Sequence, residues 1–154
     1  MNGDRFTLDT NILIYSVDTS AGPRHVLAVD IIERAVGLAS CLTLQSISEF
    51  FAACCRKRLV SRDSAAGMAR AWLDLFPVVC ASPAAARVAL EHVLAGRASY
   101  WDGLMLATAE EAGCSAILTE GIADGTMLGA VRVINPFGAN GISEAADRLL
   151  RASG

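Results

Sequence analysis

Five short apolar runs, spaced so that helix-length segments fall between most of them, constrain this chain more than any other feature. They lie at residues 5–9, in "SCLTL" at 40–44, in "FPVVCAS" after Pro77, in "SAILT" at 115–119 and in "VRVI" at 131–134. Each is short and reads as a strand, and the first, Phe6 to Leu8, is largely apolar, as expected in a parallel sheet. The first four are separated by segments long enough for a helical crossover, the connection that parallel strands require. The expected fold class is therefore α/β: three layers, with a mostly parallel sheet of about five strands between helices.

The helical segments are read from spacing and end signals. A short helix is expected over 11–17, with Thr10 or Asp9 near its cap. Pro23 opens a second through Val36, with Val26, Val29, Ile32 and Val36 every three or four residues and Gly37 to end it. Ser46 or Ser48 opens a helix over 46–59. Ala66, Ala69, Trp72, Leu73 and Phe76 mark another over 63–76. Further helices are expected over 83–95 and over 100–112, the latter capped by Ser99 and ended by Gly113. Residues 1–140 form the expected domain, and 141–154 a helical tail of it. A chain of 154 residues suits one domain with a substantial core.

Composition removes several classes. With 53 % apolar and 19 % charged residues the chain is not disordered, and a net charge of −3 excludes a uniformly basic nucleic-acid binder, though not a local basic patch. The opening MNGDRF has no long apolar stretch behind it, and no run approaches the roughly 20 apolar residues of a membrane span. Five cysteines without CxxC spacing read as buried thiols in a reducing compartment, so a cytoplasmic protein is expected. His25 and His92 are the two histidines, both in helix-like stretches, and they supply little for histidine-based chemistry.

In parallel sheets ligands bind at the carboxyl ends of the strands. Most of the 16 acids lie in polar or helical contexts and read as solvated or capping residues. Four segments differ, because the acid is set among apolar or small residues: Asp9 after "FTL", Glu49 in "SISEFF", Asp102 in "SYWDGLMLATA", and Glu120 with Asp124 in "ILTEGIADG". All map to that one edge of the sheet. Helix capping accounts for each of them taken singly. Together, carboxylates converging without cations would repel one another, and a hard divalent cation such as Mg²⁺ or Mn²⁺ relieves the repulsion. Such a site suits phosphoryl chemistry.

The chain resembles the PIN-domain ribonucleases and, among them, the VapC-type toxins of bacterial toxin–antitoxin pairs. The resemblance is carried by "LDTNILIYS" at 8–16, "SISEFF" at 46–51, "SYWDGLMLATAEEAGCSAILTE" at 99–120 and "VRVINPF" at 131–137, in the family's order and spacing. It implies a PIN-like fold with Asp9, Glu49 and Asp102 as catalytic, metal-binding acids, supported by Thr10, Asn11 and Thr119. It also implies a Mg²⁺- or Mn²⁺-dependent endoribonuclease, a homodimer, and a small antitoxin partner. One position departs from the pattern. The family's usual Ser/Thr-Glu-Asp reads here Thr119-Glu120-Gly121, so the fourth acid is missing, and Asp124 or Glu120 is left as a further candidate ligand.

Grip on an RNA would come from Arg56, Lys57 and Arg58 at the end of the helix carrying Glu49, with Arg97 as another phosphate contact. Trp101 is a candidate base-stacking residue, although a core position is the preferred expectation for it. The rival function is a weak or inactive PIN-like module that binds RNA or a partner, a reading that Gly121 favours. A dehalogenase-like hydrolase fits less well, because Asn11 stands where its second aspartate belongs. A dinucleotide-binding domain lacks GxGxxG after the first strand.

Overall fold

The computed structural model describes residues 4–151. The chain runs β1 (Phe6–Leu8), α1 (Thr10–Tyr15), a single 3-10 turn (Thr19–Ala21), α2 (Pro23–Val36), β2 (Ser40–Thr43), α3 (Leu44–Lys57), α4 (Arg62–Leu75) and β3 (Val78–Val79). It continues through α5 (Pro83–Leu94), α6 (Tyr100–Glu111), β4 (Ala116–Leu118), β5 (Met127–Leu128), β6 (Val131–Ile134), a small hairpin of β7 (Phe137–Gly138) and β8 (Gly141–Ile142), and α7 (Glu144–Leu149).

The main sheet has the order β3-β2-β1-β4-β6-β5. Its five expected strands are all parallel, and the sixth, β5, adds an antiparallel edge beside β6. The chain winds outward from β1 through β2 to β3, then crosses to the other side of β1 to lay down β4. The carboxyl ends of β1 and β4 therefore flank the point where strand order reverses, the place where open α/β sheets form a ligand crevice.

Strand residues divide between two faces with the period of two that the pleat imposes. Phe6, Leu8, Leu42, Leu118 and Ile134 join a core with Ile12 and Leu13 of α1, Ile31 of α2, Phe50 of α3 and Trp72 of α4. Cys41, Ile117, Val131 and Val133 face the other way, onto Met105, Leu106 and Ala109 of α6. Helix α5 lies outside α6, through Ala85, Ala89, Leu104 and Ala107. The approach is close enough that a Cβ on Gly103 would stand 3.3 Å from the Ala89 Cα. The result is the three-layer α/β/α arrangement. Among the described residues no helix is long and apolar enough to cross a membrane.

Three expectations need correcting. The buried stripe of α2 is Ala28, Ile31, Ile32 and Ala35; Val26 is 67 % exposed and Val36 is exposed as well. The valines share helical spacing, but the alanines give the closer approach to the core. Helix α3 starts earlier than its serines suggest, because the Thr43 side chain accepts from the Ser46 N–H at 3.1 Å and leaves Ser46 buried inside the first turn. The strands β5, β7 and β8 escape sequence reading because each is two residues long and set among glycines and turn residues, whereas β3, equally short, lies in the apolar run 76–80. The end of the chain also packs inward: Ala146, Leu149 and Leu150 belong to the core around Phe6 and Leu8.

Candidate active site

The site grows from the ends of β1 and β4. The Asp9 N–H donates to the Leu118 carbonyl at 3.0 Å, and the Thr119 N–H to the Ile134 carbonyl at 3.0 Å, which carries the ladder one residue past each strand. Asp9 and Thr119 are thereby held side by side. Asp9 then caps α1, with Oδ1 accepting from the Thr10 N–H at 2.6 Å. Asp9 is only 8 % exposed, so its charge must be met by donors.

Thr119 supplies one donor, and its direction is fixed. The Asn11 Nδ2 and the Gly121 N–H each donate to Thr119 Oγ1, both at 3.0 Å. With both lone pairs taken, the hydroxyl proton has one place to go, and Thr119 donates to Asp9 Oδ2 at 2.7 Å. Asn11 Nδ2 also reaches Asp9 Oδ2, at 3.3 Å. Burial nevertheless pushes the Asp9 carboxyl above its ordinary value. The hydrogen bonds from Thr119 and Thr10 oppose that rise, and the charges of Asp102 and Glu49 add to it. Both other acids thus lie within electrostatic reach of Asp9.

Glu49 sits in the second turn of α3. Its Oε2 accepts from the Thr10 hydroxyl at 2.9 Å, and its Oε1 from Gln45 Nε2 at 3.0 Å. The same Gln45 nitrogen donates to the Trp101 carbonyl at 3.0 Å and ties α3 to the first turn of α6. Asp102 stands in that turn, its N–H capped by Ser99 Oγ at 3.2 Å. Thr10 therefore bridges Asp9 and Glu49, through its N–H and its hydroxyl, while Gln45 bridges Glu49 and the Asp102 turn. Sequence reading missed Gln45, although its place four residues before Glu49 on one helix face was a usable signal.

The other expected residues lie elsewhere. Glu120 is engaged by Arg24, whose Nη2 stands 2.9 Å from Oε2, and by the Tyr15 hydroxyl. Asp124 is exposed and accepts from the Asn135 N–H at 2.8 Å, closing its own loop. Arg56, Lys57 and Arg58 are exposed at the C-terminal end of α3, seven to nine residues beyond Glu49, which at the helical rise is roughly 10–13 Å along the axis. Trp101 is not a core residue: it is 60 % exposed, in edge contact with Tyr100. It borders a groove of about 530 Å³ that also takes in Leu44, Gln45, Glu49, Cys80 and Leu104. A Cβ at Gly121 would stand 3.9 Å from Asp9 Oδ2 and 3.3 Å from Asn11 Nδ2, so that position faces Asp9.

Among the described residues no three His, Cys, Asp or Glu side chains close around one point as a finished metal cage. The donor set nevertheless fits a hard divalent cation in kind: three carboxylates and no histidine or thiol. Asn11 Oδ1 and Gln45 Oε1 are buried without a partner. They belong to the two side chains that hold Asp9 and Glu49, and two idle acceptors there suit the water shell of a cation such as Mg²⁺.

The PIN domain profile matches residues 6–122, which takes in Asp9, Glu49 and Asp102. A search of curated proteins returned no match. Among solved structures, the chain is similar to Mycobacterium tuberculosis VapC20, described as a toxin that cleaves the sarcin–ricin loop. The two are 15 % identical with a TM-score of 0.59, over 73 % of this chain and 86 % of that one. It is similar to VapBC2 from Rickettsia felis bound to promoter DNA, at 12 % identity and a TM-score of 0.61, over 84 % of this chain and 96 % of that one. A toxin–antitoxin complex from Klebsiella pneumoniae matches at 21 % and 0.59, over 85 % and 97 %. At these identities the likeness speaks for the fold; the profile match over most of the chain speaks for descent, and the protein belongs to the PIN-domain family.

Proposed function

We propose that this chain is a divalent-metal-dependent endoribonuclease acting as the toxin of a toxin–antitoxin pair. The observation that carries the reading is the buried Asp9 carboxylate, aligned by Thr119, Thr10 and Asn11 and flanked by the charges of Glu49 and Asp102. Asp9, Glu49 and Asp102 would hold Mg²⁺ or Mn²⁺, directly or through water. A bound ion of this kind polarises a phosphodiester and lowers the pKa of a water.

The chain's own residues orient. Thr119 keeps Asp9 ionisable despite burial, Thr10 couples Asp9 to Glu49, and Gln45 fixes Glu49 against the turn that bears Asp102. Water activated by the bound ion, rather than the ribose 2′-OH, would be the attacking group, and the products would then carry a 5′-phosphate and a 3′-hydroxyl. Trp101, exposed beside the Glu49 groove, offers a stacking face for an unpaired base. Of the similar structures, one is described as a toxin–antitoxin complex and another as VapBC2 bound to promoter DNA, which supports a small antitoxin as partner. A homodimer fits Leu90 and Leu94, left exposed on α5.

Gly121 favours a second reading, a PIN-like module that binds without cutting, because the position facing Asp9 carries no carboxylate. The test is cleavage of a mixed RNA pool by the purified, partner-free chain with Mn²⁺, with Mg²⁺ and with EDTA. Metal-dependent cutting that disappears in Asp9→Asn is the expected result. Cutting only in Gly121→Asp would instead mark a nuclease scaffold disarmed at its fourth acid. An Asp9→Asn protein that cuts at the parent rate would overturn the assignment.

A further inference from the structure

The acids at the site repel a polyanion, and the basic run at the end of α3 lies roughly 10–13 Å beyond Glu49 along the helix axis. Arg24, in the first turn of α2, is differently placed. Its Nε lies 3.1 and 2.9 Å from the two carboxylate oxygens of Glu120, and Glu120 directly follows Thr119, the residue bonded to Asp9. The Arg24 guanidinium also stands over the Phe137 ring, 5.4 Å from its centroid. Phe137 in turn meets Tyr15 edge-on at 5.5 Å and 83°, and the Tyr15 hydroxyl donates to Glu120. The guanidinium is thus oriented by an aromatic face on one side and a carboxylate on the other, while 48 % of the Arg24 side chain remains open to solvent.

We infer that Arg24 is a docking point for a backbone phosphate of the RNA beside the acid cluster, and that Glu120 is the internal anion occupying it while RNA is absent. The inference rests on the ribonuclease reading above. A guanidinium fork accepts a phosphate in the same two-point geometry as a carboxylate, so exchange needs no rebuilding of the site. The ion pair that must open is partly exposed, 48 % at Arg24 and 22 % at Glu120, and surface pairs of this kind add little stability. Glu120 keeps the Tyr15 hydroxyl when Arg24 leaves, so its carboxylate is not stranded. The cation–aromatic contact holds Arg24 at the rim in both states.

A clamp that only braces the 119–121 segment would use the same contacts, and the two roles predict opposite signs for one variant. The measurement is affinity of the full chain for a labelled, short, mixed-sequence single-stranded RNA in EDTA, across a salt series, with melting temperatures as the folding control. Arg24→Gln is expected to weaken binding several-fold and to flatten the slope of log K against log salt by about 0.7, one phosphate contact on a single strand. Glu120→Gln, which releases Arg24, is expected to tighten binding. If Glu120→Gln weakens binding as Arg24→Gln does, the pair is a structural brace and the inference is wrong. Unchanged binding in both variants, with the parent still binding RNA, overturns it equally. A parent that neither binds nor cuts RNA overturns the ribonuclease reading along with it, whereas a parent that cuts RNA while both variants bind it normally removes Arg24 alone. If Arg24→Gln does not fold, Arg24→Lys with Glu120→Gln decides, since lysine keeps the charge but loses the two-point fit.

Discussion

Asp9 is held between opposing influences, and that balance sets a pH dependence. Burial, then the neighbouring charges of Asp102 and Glu49, raise its carboxyl above the ordinary value; Thr119 and Thr10 limit the rise. In the window between the ordinary aspartate range and the raised value, the folded metal-free protein holds more protons than the unfolded chain, so its stability falls as pH rises through that window. The expected result is that metal-free melting temperatures decline across the window and level off above it, that Asp9→Asn loses this component, and that Mn²⁺ raises the melting temperature of the parent above the window but not below it. Identical pH profiles for parent and variant would refute the assignment. The three acids stand out in the sequence because each interrupts an apolar stretch, and the fold sets Asp102 and Glu49 within electrostatic reach of Asp9. What Glu120 does was not legible, since its partner Arg24 is 96 residues away and no local pattern announces the pair. Trp101 was misjudged because the leucines and methionine that follow it suggest a core, whereas its place in the first turn of α6 points it outward.

Helix starts position the acids, so element-level changes should be felt at the site. Ser99 caps the turn that bears Asp102, and Gln45 pins that same turn to α3. Ser99→Ala is expected to cost about 1 kcal/mol of stability, read as a shift of the urea midpoint, and to weaken Mn²⁺ affinity through displacement of Asp102. Gln45→Ala leaves every cap intact and removes only the ties to Glu49 and Trp101. It is expected to weaken Mn²⁺ binding with little change in the urea midpoint, and a calorimetric affinity equal to the parent's would contradict that role. Short apolar runs bounded by turn residues made the five parallel strands readable. The strand β5 and the β7–β8 hairpin were not, because they lie among glycines and turn residues without an apolar run such as surrounds β3, and pair only where the chain folds back on itself. The valine spacing in α2 predicted a helix correctly and its buried face wrongly, since spacing fixes a stripe only up to rotation when apolar residues occupy most of the helix surface.

At the scale of the whole molecule, the end of the chain bears on the site from behind. Helix α7 places Ala146, Leu149 and Leu150 in the core that includes Phe6 and Leu8, the strand leading to Asp9, and Asp147 meets Arg34 of α2 at 3.1 Å. Helix α7 thus packs into the core that holds β1. A buried leucine cut back to alanine typically costs about 2–5 kcal/mol, a large share of a domain's total of roughly 5–15 kcal/mol. Leu149→Ala is accordingly expected to lower the melting temperature by several degrees in a single cooperative transition, followed by circular dichroism. The Arg34 pair, partly exposed, should matter much less, so Asp147→Asn is expected to shift the melt only slightly. A tail that merely rests on the surface predicts something else: an early, separate loss of helix signal in Leu149→Ala, with the main transition and Mn²⁺ affinity unchanged. Observation of that pattern would detach α7 from the domain, whereas a single lowered transition accompanied by loss of Mn²⁺ binding at the same temperature would show that the tail and the acids stand or fall together.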